Sequence, residues 1–235
     1  MSEMFNLLTG YSQGHRWERL LLAPVALREK VIALIDRERA HAEAGHPARI
    51  VVKMNSLVEP SVIDALYRAS QAGVTVELVI RGICCLKPGI PCVSSGIRVT
   101  SIVDKFLEHS RVFYFENDGN PDIYLGSADW MPRNFFRRIE VMFPIEDERL
   151  KQRVMEEILP VTLADNVKAR ELRSDGTYAR VAPPDGGPVV RSQQVFQSLA
   201  REAARESVEL VRRLAPIQRR PKARAGDPER QLNPA

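Results

Sequence analysis

The stretch "ARIVVKMNSLVEPSVIDALYRASQAGVTVELVI", residues 48–80, constrains the fold more than any other part of the chain. "ARIVVKM" (48–54) reads as a short buried strand. "VTVELVI" (74–80) is nearly continuous in apolar residues, the pattern of a strand covered on both faces. Between them, "EPSVIDALYRASQAG" (59–73) carries Pro60 in the first turn of a predicted helix and Gly73 at its C-cap. A strand, a helix and a strand joined by short links require parallel strands and a right-handed crossover, so the chain belongs to the α/β class.

The flanking sequence extends this unit. "APVALREKVIALIDRERAHAEAG" (23–45) predicts a helix with Pro24 in its first turn, Ala26, Leu27, Val31, Leu34 and Ile35 on one face, and Gly45 at its end. Four more strands are expected at 97–103, 111–115, 122–127 and 139–145, with the turn "ENDGNPD" (116–122) between two of them. Residues 146–161 predict a helix whose acidic first turn suits the helix dipole. Beyond about residue 170 the sequence is turn-rich, and 191–214 predicts an amphipathic helix with Val195, Phe196, Leu199, Ala203, Leu210 and Leu214 on one side. Residues 216–235 hold five Lys/Arg, two Asp/Glu and four Pro with little to bury, which predicts a disordered basic tail. The expected architecture is a mixed sheet with flanking helices, a C-terminal helix and that tail.

No apolar run reaches the roughly 18–20 residues that span a bilayer, and "MSEMFNLLTGYSQGH" has no secretory n-region or h-region, so a cytoplasmic protein is expected. Cys84, Cys85 and Cys92 are odd in number and close together, which argues against a disulfide framework. Adjacent Cys84 and Cys85 with no histidine nearby make a poor metal site, and reduced, partly buried thiols are expected.

The chemistry-bearing residues collect at predicted strand ends, where open α/β sheets bind ligands. "FLEHSRVFYF" (106–115) places Glu108, His109 and Arg111 at the mouth of an apolar strand, where unpaired burial of a polar or charged group would cost about 2–7 kcal/mol or more. Lys53 and Asn55 end one strand, and Arg81 and Gly82 follow another. "GSADWMPRNFFRR" adds Ser127, Asp129, Arg133, Asn134, Arg137 and Arg138. Guanidinium forks near glycine suit phosphate oxygens, and a histidine among them can serve as nucleophile or general acid/base. The plainer alternative is a structural histidine and a solvated face in which Arg133, Arg137 and Arg138 pair with Glu140.

The order H-x-R, apolar strand, turn, G-S-x-D resembles the phospholipase D half-motif, H-x-K followed by G-S-x-N, with Arg111 for Lys and Asp129 for Asn. A narrower resemblance runs from about residue 5 to 190. The blocks "KMNSLVEPSVIDALYRASQAGVTVELVIRGICCLKPGIP", "IRVTSIVDKFLEHSRVFYFENDGNPDIYLGSADWMPRNFFRRIEVMFPI" and "LKQRVMEEILPVTLADNVKAR" are similar to the C-terminal domain of the polyphosphate kinases. It implies a phospholipase D-like half and reversible transfer of the terminal phosphate of ATP onto inorganic polyphosphate. Residues 1–22 become a seam segment, 23–190 the kinase domain, 191–214 the C-terminal helix and 215–235 the tail. By the same resemblance Arg81 and His109 contact the nucleotide, and His109 gives or takes a proton at the transferring phosphoryl group. Arg111, Ser127, Asp129, Arg133 and Asn134 are expected to bind phosphate beside them.

The phosphoacceptor histidine of the family lies on an H-x-K strand in a first half, with magnesium-associated arginines. His15, His41 and His46 stand in no such context. The chain is therefore expected to be one half of an active site, inactive alone. Its Mg²⁺ would come with ATP and be held mainly by the other half, and its partner would be that N-terminal half or further copies of itself. Two alternatives stay open: a homodimeric phosphodiesterase of the phospholipase D type pairing two His109, and a non-catalytic module holding polyphosphate electrostatically. No specific nucleic-acid reader motif is present.

Overall fold

A computed structural model describes residues 5, 6, 9 and 19–214, with side chains given through residue 205. The elements in chain order are β1 (Leu21–Ala23), α1 (Leu27–Glu43), β2 (Arg49–Met54), α2 (Pro60–Gln71), β3 (Thr75–Ile80), β4 (Ile97–Ile102), β5 (Val112–Phe115), β6 (Asp122–Gly126), α3 (Pro132–Phe136) and β7 (Glu140–Pro144). There follow α4 (Glu148–Arg153), a π-helical stretch (Val154–Ile158), α5 (Leu159–Leu163), β8 (Ala169–Leu172), β9 (Tyr178–Arg180) and α6 (Ser192–Leu214). The chain divides into two compact units, Met1–Val195 and Phe196–Ala235. The predicted tail, 215–235, and His15 lie outside the described residues. No described helix is long and apolar enough to cross a membrane.

The predicted βαβ unit lies at the centre of the sheet. Runs rich in Val and Ile favour β2 and β3, and Pro60 opens α2 because the first helical turn needs no backbone donor there. The strands pair in parallel from Arg49 opposite Thr75 to Met54 opposite Ile80. The nine strands run in the order β1-β7-β6-β5-β2-β3-β4-β8-β9, with β2, β3 and β4 parallel and every other pairing antiparallel. The fold is thus the expected mixed sheet with flanking helices.

Strand alternation divides the core. Ile50, Val52 and Met54 of β2 face the layer that holds Val31, Leu34 and Ile35 of α1 and Leu66 of α2. In that layer Trp130 stacks on Phe113 at 5.5 Å between ring centroids, both about 1% exposed. Val51 faces the opposite layer, with Val112, Tyr114, Ile123, Val154 and Leu159. Full burial of one such side chain is worth roughly 1.5–3 kcal/mol, so both layers contribute to holding the sheet.

Three expectations change. The first helix begins at Leu27 rather than at Ala23, because buried Leu21, Leu22 and Ala23 form a ladder with Met142, Val141 and Glu140 and make β1; Pro24 lies in the turn that follows. The helix expected to end at 161 reaches Leu163 through the π-helical stretch. The turn-rich region beyond residue 170 contains a hairpin, β8–β9, joined to β4 through Thr100 opposite Glu171.

Candidate active site

The register brings many strand termini to one rim of the sheet. The ends of parallel β2, β3 and β4 lie there. So does the start of β5, because Val112 is opposite Lys53, and so do the end of β6 and the start of β7. Asn55, Arg81, Arg111, Ser127 and Glu140 therefore leave neighbouring strands at the same rim, and His109 lies just before β5.

Arg81 follows β3 directly. Its Nη1 is buried and has no hydrogen-bond partner, and its side chain lines a small recess with Lys53, Asn55, Val79, Ile102 and Glu108. A buried donor without a partner costs about 1–3 kcal/mol, which an anion in the recess would relieve. His109 is exposed at the rim. Its backbone carbonyl accepts from Arg111 Nη1 at 2.6 Å.

The other expected phosphate ligands are differently engaged. Arg111 Nε and Nη2 donate to Asp129 Oδ1 and Oδ2, each at 3.2 Å, in a forked pair that is mostly buried. Asp129 Oδ1 also accepts from Asn55 N at 2.8 Å. Ser127 Oγ donates to Glu140 Oε2, Asn134 Nδ2 donates to Glu140 Oε1 at 2.6 Å, and Ser127 Oγ accepts from Val141 N at 3.1 Å. Glu140, 7% exposed, thus takes Ser127 and Asn134 rather than the arginines that the plainer alternative assigned to it. Arg133, Arg137 and Arg138 are exposed beside it. The described rim accordingly presents His109, Arg133, Arg137 and Arg138 to solvent beside half-buried Arg81, over a base in which Arg111 is paired with Asp129, and Ser127 and Asn134 with Glu140.

Sequence reasoning passed over several supports. Lys53 Nζ lies 2.6 Å from Glu108 Oε2 and donates to Ser110 Oγ at 2.8 Å. Arg191 donates to both oxygens of Asp104, at 2.8 and 2.6 Å. The hydrogen bond from Arg191 is the main reason that the Asp104 carboxyl sits below the ordinary carboxylate range. Asp165, 2% exposed, accepts through Oδ1 from the amides of Val167, Lys168 and Ala169, and through Oδ2 from the amide and hydroxyl of Ser192. Burial pushes the Asp165 carboxyl up, but those hydrogen bonds outweigh it and hold the pKa below its usual value. "LADNVK" does carry a local signal, since an aspartate at a turn is prone to accept from the amide two residues on, here Val167.

No group of three His, Cys, Asp or Glu side chains suited to a metal ion occurs among the described residues. The rim carboxylates Glu108, Asp129 and Glu140 are each engaged by Lys53, Arg111, or Ser127 and Asn134. The described residues therefore do not fit a resident metal site. The three cysteines are free thiols. Burial pushes the Cys84 thiol up to about 11, whereas Cys85 and Cys92 are exposed. Iodoacetamide at neutral pH is expected to alkylate Cys85 and Cys92 and to spare Cys84 in the folded chain; mass spectrometry showing equal labelling of all three would contradict this.

Residues 20–193 match the family model described as polyphosphate kinase C-terminal domain 2. The polyphosphate kinase of Synechocystis sp. is 49% identical over 210 residues, covering 89% of this chain and 29% of its own. That of Thermosynechococcus vestitus is 53% identical over 186 residues, covering 79% and 25%. The crystal structure of polyphosphate kinase from Porphyromonas gingivalis aligns with a TM-score of 0.80 at 39% identity, covering 86% of this chain and 31% of that one. The chain thus spans under a third of the length of these relatives.

Proposed function

This chain belongs to the polyphosphate kinase family, as its C-terminal domain 2, and we propose that its strand rim forms the nucleotide-facing half of an ATP–polyphosphate phosphotransferase site. The observation that carries the reading is the buried, unpartnered Nη1 of Arg81 at the same rim as exposed His109. A phosphate oxygen would satisfy Arg81, and the imidazole stands where it can exchange a proton with such an oxygen near neutral pH.

In the forward direction the bond from the terminal phosphorus of ATP to its bridging oxygen breaks, and the electron pair leaves with ADP. The phosphoryl group is accepted by a nucleophile outside this rim and passes to the terminal oxygen of a polyphosphate chain. Arg81 holds negative charge as the bridging bond loosens, and His109 holds or gives the proton that the departing or arriving oxygen needs. Positioning and charge neutralisation supply most of the rate in such transfers. Arg133 is a solvent-facing cation for the polyphosphate chain. Arg111, Ser127, Asp129 and Asn134 brace the rim beneath it. Mg²⁺ would arrive with ATP and offset phosphate charge, its protein ligands coming mainly from outside the described residues.

The described histidines other than His109 support a shared site. His41 and His46 lie on α1 and just beyond it, and His46 Nδ1 is 3.1 Å from Asp118 Oδ1 in the turn between β5 and β6, away from the rim. The partner is the remainder of a polyphosphate kinase or a second copy, and the setting is the cytoplasm.

Titrating the chain with ATP or polyphosphate by calorimetry is expected to give weak binding that fades as salt rises. Arg81→Ala should weaken it about tenfold, the effect of losing one charge-assisted contact. Unchanged affinity in Arg81→Ala would overturn the reading. Incubation with γ-labelled ATP is expected to leave no acid-labile label on the chain; label on His109 would favour the paired-copy phosphodiesterase-like arrangement instead.

A further inference from the structure

We propose that Lys53 and Gln193 are positioning residues that together fix the segment carrying His109, a role resting on the nucleotide-facing reading of the rim. His109 lies between β4 and β5 in a stretch, residues 103–111, with no strand ladder of its own. Its imidazole makes no hydrogen bond among the described residues, so its direction depends on its neighbours. Both neighbours are held by the same ammonium group: Lys53 Nζ reaches Glu108 Oε2 at 2.6 Å and Ser110 Oγ at 2.8 Å. Lys53 is itself fixed. It is 8% exposed on β2 and lies between Val79 of β3 and Val112 of β5 in the register.

Gln193 holds the same segment from another direction. Its Oε1 accepts from Phe106 N, and its Nε2 donates to Phe106 O and to Glu108 Oε1, each at 2.8 Å. The two carboxylate oxygens of Glu108 are thus divided, one to Lys53 and one to Gln193. Gln193 is 6% exposed in the first turn of α6. It follows Ser192, bound to Asp165, and Arg191, bound to Asp104. Every bond in this set ends on a residue flanking His109 or on an anchor of the clamp, and none ends on the imidazole, which stays available to a ligand.

A buried lysine on a central strand is an expensive choice if only stability is at stake, since well-packed apolar residues of similar volume often serve as well or better. Its pairing with Glu108 also removes Lys53 as a free phosphate ligand. What the pair does achieve is geometric: a segment lacking regular structure is bridged to β2 on both sides of one histidine. Catalytic groups need such support because small misplacements cost large factors in rate.

The test uses the isotope-labelled 235-residue chain. Wild type is expected to show a single sharp His109 imidazole resonance by NMR and slow hydrogen exchange at the Phe106 amide. Lys53→Met should broaden or split the His109 signal and weaken ATP binding about tenfold, while Lys53→Arg, which keeps the cation, should retain most of both properties. Gln193→Leu should speed Phe106 exchange about tenfold, as expected for losing one amide hydrogen bond, and it serves as the test if Lys53→Met does not fold. Folded Lys53→Met and Gln193→Leu chains with unchanged His109 and Phe106 signals would overturn the proposal. Failure of the nucleotide-facing reading is seen separately, as a wild-type His109 resonance that ATP does not shift.

Discussion

His109→Ala is expected to lower phosphoryl transfer by about 10²–10⁴-fold, the range lost with a positioned general acid or base. The assay is a chimera in which this chain replaces the matching region of a full-length relative, with polyphosphate formation followed from ATP. The fall should appear in kcat, because the imidazole is exposed at the rim and its removal breaks no side-chain hydrogen bond among the described residues. The bonds that shape the segment use the His109 carbonyl, Glu108 and Ser110, all of which the alanine variant keeps. Circular dichroism and thermal midpoint should therefore match wild type. A rate within about threefold of wild type would remove His109 from the reaction.

Asp165→Ala is expected to cost about 3–5 kcal/mol of stability, the upper part of the range for single substitutions. Five donors converge on this carboxylate, from Val167, Lys168, Ala169 and Ser192, and at 2% exposure water cannot readily replace it. Asp165→Asn keeps an acceptor at one oxygen and should lose less. Denaturant midpoints of the three chains measure the order, and an alanine variant as stable as wild type would refute it. The pH dependence follows from the same contacts. The folded-state pKa of Asp165, like that of Asp104, lies below its ordinary value, so the unfolded chain binds a proton first as pH falls. Their stabilising contribution is complete above the ordinary carboxylate pKa of about 4 and is lost as pH falls through the lower folded-state values.

Much of the fold is legible in the sequence because it is written locally. The runs at 48–54 and 74–80, Pro60 and Gly73 identify the parallel unit, and β2, α2 and β3 fall within those bounds to a residue or two. Three-residue β1 is too short to show a period, and nearby Pro24 imitates a helix start; only its ladder with β7, far along the chain, makes Leu21–Ala23 a strand. The β8–β9 hairpin is hidden for a related reason: with exposed Arg170, Tyr178 and Arg180, it lacks the apolar run of the central strands.

The candidate site divides the same way. That Arg81 and His109 adjoin strands can be read directly, and the topology then carries both to one rim. Which carboxylate meets which donor cannot be read, because Lys53 with Glu108, Arg111 with Asp129 and Asn134 with Glu140 are choices made by register and packing among several plausible partners. Strand-end positions nominated the candidate residues, and only the folded arrangement separated those exposed at the rim from those bound beneath it.

The two outermost strands carry one more consequence. Among the described residues, the nine-stranded sheet ends on each side in a strand of only three residues. Unsatisfied backbone amides and carbonyls along a long flat border would template the addition of foreign strands, the route to amyloid-like assembly. Here one border, Leu21–Ala23, is buried, with α1 and α3 packed against it. The other, Tyr178–Arg180, is flanked by arginine charge from Arg170, its ladder partner, and Arg180 itself. Breadth has been reached without leaving an intruding strand more than a few residues to grip.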